Sequence, residues 1–185
     1  MHPSIYPIIG IVIVIILWII LAYNRLVRLR QRAKEAWADI DVQLKRRYDL
    51  IPNLLATVKG YAQHEKDVFD NVTRARASAV NAKTVNEQAQ AENNLSQTLK
   101  SLFAVVENYP ELKASQNFIA LQQELADTEN KIQAARRFYN TNVRDLNIRI
   151  ESFPDTLMAR LFKFSQMDLF ELADEAERQA PKVSF

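Results

Sequence analysis

The stretch FIALQQELADTENKIQAARRFYNTNVRDLNIRIESF, residues 118–153, predicts one long amphipathic helix. Large apolar or aromatic side chains recur in it every seven residues, at Phe118, Leu125, Ile132, Tyr139, Leu146 and Phe153. Further apolar or small side chains lie between them at spacings of three and four, which places the whole set on one face of a coiled-coil-like helix. The predicted helix covers about residues 116–152, a length of roughly 50 Å, and Pro154 ends it.

Three shorter helices are predicted before this long one. The apolar spacing places them at about residues 25–48, 50–81 and 85–108. A capping-box pattern, Thr84 with Glu87, starts the third of them. The boundary between the first two is predicted at RYDLIPN, because Pro52 interrupts helical hydrogen bonding there; one kinked, continuous helix is the alternative.

These helices together predict an all-α protein. The chain has only 2 glycines and 6 prolines in 185 residues, too few for the tight turns of a sheet protein. Short connections and wide apolar stripes favour an antiparallel four-helix bundle, residues 25–154, over an extended coiled coil or an open helical hairpin. An apolar segment and an acidic amphipathic tail, residues 155–185, are expected to follow the bundle.

The N-terminal 24 residues predict a membrane anchor. No charged residue occurs between Pro3 and Asn24, and a helix of these residues spans about 30 Å, the thickness of a hydrocarbon core. The residues predicted to span the membrane or to mark its ends include Ile5, Ile8, Trp18 and Tyr23. A cleaved signal peptide is the alternative, but the N-terminal flank has no Lys or Arg and no cleavage pattern follows the apolar run.

Basic residues after the anchor predict its orientation. Five Lys and Arg residues lie between Arg25 and Lys34, and none precedes the apolar segment. The positive-inside rule then leaves the N-terminus outside and the C-terminal domain in the cytoplasm, at a bacterial inner membrane. Four of these residues, here named the basic collar, are expected to face lipid headgroups: Arg25, Arg28, Arg30 and Arg32. Acidic residues are interleaved with the basic ones, so no nucleic-acid partner is expected.

The residue patterns that catalysis or metal binding would require are missing from the sequence. There is no cysteine, which excludes disulfides, thiolate metal sites and cysteine nucleophiles. His64 and Glu65 match the start of a zinc-protease helix, but the second histidine of that motif is replaced by Val68. We therefore expect no catalytic residue, no metal ligand and no cofactor, and we expect that the protein is not an enzyme.

Polar residues occur at three positions of the apolar stripes, Glu65, Asn142 and Arg149. They are candidates for a ligand or partner site, or for a buried network that fixes helix register, and the second interpretation is favoured. The acidic run 168–177 resembles a solvated helix face. Alternatively, it pairs with the basic collar of an identical chain.

Residues 22–65 resemble the LemA family of bacterial membrane proteins. The stretches that carry the resemblance are Tyr23-Asn24, Ala36-Trp37, Ile40–Leu44, Asp49–Leu54, Val58–Tyr61 and His64-Glu65, followed by Tyr109–Ala114, Thr128–Ile132, Tyr139-Asn140 and Phe153-Pro154. The resemblance covers nearly the whole chain and implies an N-terminal anchor with a four-helix antiparallel bundle. It implies no catalytic residue. Members are associated with a membrane-bound zinc metalloprotease of protein quality control, and relatives occur among organelle-forming membrane proteins.

The sequence and the resemblance together favour a membrane-anchored, non-catalytic scaffold. Such a protein is expected to contact membrane lipid, to form a homo-oligomer, and to recruit or regulate a membrane metalloprotease or organise a membrane. The alternative is a ligand-sensing or signalling helical bundle at the membrane, with a small molecule bound near Glu65.

Overall fold

A computed structural model describes residues 5–171 of the chain, with side chains from Pro7 onward. Its helices are α1 (Ile5–Lys59), α2 (Lys66–Val80), α3 (Val85–Val106), α4 (Pro110–Lys113), α5 (Gln116–Glu151) and α6 (Asp155–Leu161). No strand occurs within the described range, so the predicted all-α class is confirmed. The antiparallel arrangement of four helices stays a prediction. Most of the predicted acidic tail lies outside the described residues, and residues 164–171 before it have no regular secondary structure.

Helices α3 and α5 agree with the predicted ranges 85–108 and 116–152 to within two residues. The capping box at the start of α3 is present. The Thr84 hydroxyl accepts a hydrogen bond from the Glu87 backbone N–H at 3.1 Å, and the Glu87 carboxylate accepts one from the Thr84 N–H at 3.3 Å. The two residues thus satisfy backbone groups that the helix start would leave unpaired.

The predicted boundary between the first two helices is wrong. Helix α1 continues through Pro52 to Lys59, and the break lies at residues 60–65 instead of at residues 47–53. The predicted ranges 25–48 and 50–81 are therefore replaced by one helix that also includes the apolar N-terminal segment, and by α2. The helix is continuous through Pro52, as in the alternative, but it ends at Lys59, so two separate helices remain.

Arg76 explains why α1 does not end at its proline. Pro52 has no N–H, so the carbonyl of Tyr48, four residues earlier, lacks its usual donor within the helix. The Arg76 side chain of α2 replaces that donor, with its Nε donating to the Tyr48 carbonyl oxygen at 2.7 Å. Because another side chain satisfies the acceptor, the helix can continue through the proline.

We expect Arg76→Met to lower the free energy of unfolding by about 1–3 kcal/mol, since the Tyr48 carbonyl would lose its donor. In a Pro52→Ala background the alanine N–H can donate to the same carbonyl, so the same substitution should cost less there. Urea denaturation of the four proteins in detergent measures both costs. Equal costs in the two backgrounds would show that Arg76 does not compensate for the proline.

The chain forms two compact units. Unit 1 comprises Met1–Asp39 and Ala135–Asp168, and unit 2 comprises Ile40–Ala134 and Leu169–Phe185. The heptad positions of α5 are buried as predicted, at Phe118, Leu125, Ile132, Tyr139 and Leu146. Phe153 was predicted to continue this apolar face, but its side chain is exposed because α5 ends at Glu151, before the sixth position is reached.

Candidate functional site

The apolar N-terminal part of α1 presents its side chains to the surroundings. Ile8, Val14 and Leu21 are all exposed, and so are most of the aliphatic residues between them. Within the described residues, α1 is the one helix long and apolar enough to cross a membrane. A continuous apolar surface of this size is unusual in water and is typical of a helix that contacts lipid.

The end of this apolar segment packs against α6 in unit 1. A buried cluster, here named the anchor-end cluster, consists of Ala22, Leu26, Met158, Ala159 and Phe164. Trp18 and Ile19 of α1 pack against it, so Trp18, predicted to lie in the membrane, is partly buried against protein. The α6 segment is thus held beside the end of the apolar segment.

Aromatic rings extend the same contact. The ring of Tyr23, predicted to mark the end of the span, lies edge-on to that of Phe162 at a centroid distance of 4.8 Å and to that of Phe164 at 5.8 Å. Edge-to-face pairs of this kind contribute about 0.5–1.5 kcal/mol beyond the burial of their surface. They add to the packing that positions Phe162 and Phe164 beside α1.

The basic collar is mostly exposed. Arg25, Arg28 and Arg32 present their side chains to solvent, while Arg30 is half-buried, with its guanidinium 4.9 Å from the centre of the Phe164 ring. That distance permits a cation–π interaction, so Arg30 has an intramolecular role in unit 1. Contact of the three exposed arginines with headgroups stays a prediction.

The three polar positions predicted from the apolar stripes each have a local partner. Glu65, in unit 2, precedes α2 and accepts a hydrogen bond from the Tyr109 hydroxyl at 3.3 Å. The Asn142 side chain, in unit 1, donates to the Phe138 carbonyl of its own helix at 2.8 Å. Arg149, also in unit 1, forms an ion pair with the buried Asp155. All three side chains are half-buried, and their assignment as partner-binding positions stays a prediction.

Unit 2 contains a more deeply buried polar network that was not predicted from the sequence. Arg47 of α1 is 5% exposed, and Glu92 of α3 is 2% exposed. The Arg47 Nη1 lies 3.2 Å from a Glu92 carboxylate oxygen and 3.0 Å from one of Glu129 in α5, while its Nη2 donates to the Ser96 hydroxyl at 2.8 Å. One guanidinium therefore links three helices.

Tyr48 and Gln88 complete this buried network. The Tyr48 hydroxyl donates to Glu92 and accepts a hydrogen bond from the Gln88 side chain at 2.8 Å. Burial raises the pKa of Glu92, an effect that the Tyr48 hydroxyl and the Arg47 charge oppose. Burial, together with the charge of Glu92, also raises the pKa of the Tyr48 hydroxyl. Each polar group is matched by a partner, as a polar network that holds helices in register requires.

A signal for this network is present in α3. Its apolar stripe runs through Leu95, Leu99, Leu102 and Val106. Extending the same spacing of three and four towards the N-terminus gives positions 92 and 88, where Glu92 and Gln88 stand. Two polar residues that continue a buried stripe indicate a buried polar cluster, although the partners on α1 and α5 do not follow from this spacing.

The network is suited to a structural role. Its carboxylate, Glu92, accepts hydrogen bonds from Arg47, Tyr48 and Gln88, so its oxygens are bonded within the protein. Among residues 5–171, no group of three or more His, Asp or Glu side chains is placed to hold a metal ion.

Most of the chain is similar to one known protein family. The sequence pattern of the LemA family matches residues 36–185, which are most of the chain. The chain belongs to the LemA family. This confirms the resemblance found in its sequence. The family match covers the end of α1 that carries Arg47 and Tyr48, all of α2 to α6, and the residues that follow.

Curated relatives of this LemA-family chain are similar at low identity. Magnetosome protein MamQ of Magnetospirillum gryphiswaldense is 21% identical over 178 residues, which cover 82% of this chain and 65% of the relative. Protein LemA of Metamycoplasma hominis is 24% identical over 156 residues, covering 84% of this chain and 71% of the relative. Magnetosome protein MamQ 2 of Paramagnetospirillum magneticum is 22% identical over 186 residues, covering 86% of this chain and 68% of the relative. The chain thus spans about two thirds of the length of these relatives.

Proposed function

We propose that this LemA-family protein is a membrane-anchored, non-catalytic scaffold that self-associates and binds other membrane proteins. In this proposal the N-terminus lies outside, the C-terminal domain is cytoplasmic, and the membrane is the bacterial inner membrane. The observation that carries the proposal is the continuity of α1, in which an exposed apolar segment and the helix bearing Arg47 form one element from Ile5 to Lys59. A helix whose N-terminal part is apolar and exposed can anchor the residues that follow it in a membrane.

The matched polar network supports a role without catalysis. Catalytic groups need an acid, base or nucleophile available to a substrate. In the network the carboxylate of Glu92 and the guanidinium of Arg47 are buried and bonded to each other, which favours rigidity over chemistry. A helical domain whose buried polar groups are matched within the protein is suited to binding partners through its surface.

Two considerations suggest the kind of partner. Two of the relatives are magnetosome proteins by name, which favours a role for this chain in organising a membrane. The family resemblance favours recruitment or regulation of a membrane zinc metalloprotease.

Self-association is favoured by charge. The acidic run 168–177 and the basic collar have opposite charges, so identical chains could pair through them.

The size of the full-length protein in mild detergent tests this proposal. We expect a homogeneous oligomer by light scattering. Removing residues 172–185, or replacing the three acidic residues of that segment, Asp174, Glu175 and Glu177, with their amides, should reduce its size, because most of the acidic charge of the run is lost. The amide variant keeps the length of the chain and is the matched control for the truncation. A protein that is monomeric at every concentration would contradict the proposal.

An open cavity favours the second candidate function, a ligand-sensing bundle. It has a volume of about 300 Å³, and its lining includes Lys59, Lys66 and Phe69 at the α1–α2 connection that also contains Glu65. A sensor predicts that a small molecule raises the melting temperature of the protein and that Glu65→Ala abolishes the rise. A scaffold predicts no such ligand.

A further inference from the structure

Helix α6 is apolar on two sides. Its inner side carries Met158 and Ala159, which are buried in the anchor-end cluster. Its outer side carries Leu157, which is 50% exposed, and Leu161, which is 66% exposed. These two residues are four apart and therefore share one face of the helix. A seven-residue helix with an apolar outer face is poorly suited to contact with water.

Phe153, which precedes the helix and is 81% exposed, adds apolar surface at its start. Phe162, which follows the helix, packs its ring against Tyr23 of α1 and belongs to the inner side. We name the three side chains Phe153, Leu157 and Leu161 the α6 apolar face. One of them is a phenylalanine, the residue type with one of the largest apolar surfaces. A grouped patch of this kind calls for an occupant, whereas single exposed apolar residues do not.

The inner contacts place α6 at a defined level along α1. The anchor-end cluster joins it to Ala22 and Leu26, with Trp18 packed against the same cluster. Trp18 to Leu26 covers about 12 Å of the helix axis at 1.5 Å per residue. In the proposed anchor, this interval is the end of the membrane span, where hydrocarbon gives way to headgroups. Leu17 and Leu21 of α1, at the same end of the apolar segment, are exposed as well.

The charged residues around the α6 apolar face are those expected at the end of a membrane span. Arg160 and Lys163 are exposed on α6 and just after it, and Arg25 and Arg28 are exposed on α1 in the same unit. The acidic groups nearby have partners within the protein: Asp155 is paired with Arg149, and Glu151 accepts a hydrogen bond from Gln166. Apolar side chains flanked by Lys and Arg are the composition of segments that lie in a membrane interface.

We propose that the α6 apolar face inserts into the interfacial region of the lipid bilayer and forms a second membrane contact beside the α1 span. A bilayer is favoured over a protein partner because the inner contacts hold the face at the end of the exposed apolar segment of α1, and because exposed Lys and Arg residues flank it. The proposal rests on the membrane anchor of the proposed function and goes beyond it. With two contacts, the anchored end of the protein is fixed in rotation as well as in depth.

Depth measurement in vesicles tests the proposal. The chain contains no cysteine, so single substitutions can be labelled without removing native thiols. Leu157→Cys and Leu161→Cys in the full-length protein carry an environment-sensitive fluorophore, in vesicles of phosphatidylcholine with a minority of phosphatidylglycerol. Ile13→Cys, within the proposed span, is the deep control, and Ser101→Cys, exposed on α3, is the aqueous control. Quenchers are iodide in water, nitroxide lipids labelled near the headgroup, and nitroxide lipids labelled deep in the acyl chain.

We expect the labels at 157 and 161 to be quenched several-fold more by the headgroup-level nitroxide than by iodide. The label at 13 should respond most to the deep nitroxide, and the label at 101 only to iodide. If 157 and 161 behave like 101 while 13 remains deep, the interfacial contact is wrong and the anchor stands. If 13 is also quenched by iodide, the anchor itself is wrong. If 157 and 161 are shielded from both iodide and the nitroxide lipids, protein covers the face, which also overturns the proposal.

Discussion

Replacing Arg47 with methionine is expected to lower the free energy of unfolding by about 3–5 kcal/mol. The guanidinium is the cation that faces the buried Glu92 carboxylate, and its removal leaves that charge with hydrogen bonds but without a counterion. Methionine fills much of the same volume, so the cost arises from the charge and not from a cavity. Chemical denaturation in detergent measures the difference from the native chain.

The second substitution Glu92→Gln is the control for this interpretation. The amide oxygen still accepts the hydrogen bond of Tyr48, but no buried charge remains. Arg47→Met with Glu92→Gln should therefore be more stable than Arg47→Met alone. A double variant as unstable as the single one would show that Arg47 acts through packing.

Acidification should rescue the single variant more than the double one. Burial raises the pKa of Glu92 above its ordinary value of 4.5, and removal of Arg47 removes a charge that opposes the rise. The folded protein then holds this proton more tightly than the unfolded chain does. The destabilisation caused by Arg47→Met is thus absent at a pH below the ordinary pKa of Glu92. It is complete at a pH above the raised pKa of Glu92 in the folded protein. Unfolding curves of both variants across this pH range would reveal the difference.

Val14→Arg together with Leu17→Arg is expected to remove the protein from the membrane. Both side chains are exposed on the apolar segment of α1, near the middle of the proposed span. Each arginine costs about 2.5–3.5 kcal/mol at the centre of a membrane helix, so the pair costs about 5–7 kcal/mol. Cell-free synthesis with inner-membrane vesicles, followed by carbonate extraction, measures the inserted fraction.

The matched control adds the same charges elsewhere. Val42 and Val80 are also exposed valines, but they lie in unit 2, and Val42→Arg with Val80→Arg should leave insertion unchanged. Insertion lost equally in both pairs would point to a general effect of the added arginines. Insertion kept by the α1 pair would contradict the anchor.

Much of the fold could be predicted because its signals are local. The seven-residue spacing from Phe118 to Leu146 predicted α5, and the pair Thr84 and Glu87 predicted the start of α3, since each depends only on neighbouring residues. The apolar segment of α1 was predicted from length and composition. These features need no knowledge of which helices are in contact.

The remaining features depend on distant partners. Pro52 predicts a helix boundary unless a donor from elsewhere satisfies the Tyr48 carbonyl, and Arg76 is 28 residues away from it. The buried network could be located on α3 from spacing alone, but Arg47 belongs to another helix, 45 residues from Glu92. Phe153 was assigned to the core because the spacing continued, although the helix had already ended. In each case tertiary structure decides what the local pattern leaves open.

The bond between Arg76 and the carbonyl freed by Pro52 has a consequence for how such sequences diverge. A chain that loses the proline no longer needs the arginine, but a chain that loses the arginine first bears an unsatisfied acceptor. Substitutions at the two positions should therefore accumulate in a fixed order, with position 52 changing before position 76. Reconstructed ancestral sequences of the family should therefore include intermediates that keep the arginine at position 76 and lack the proline at position 52.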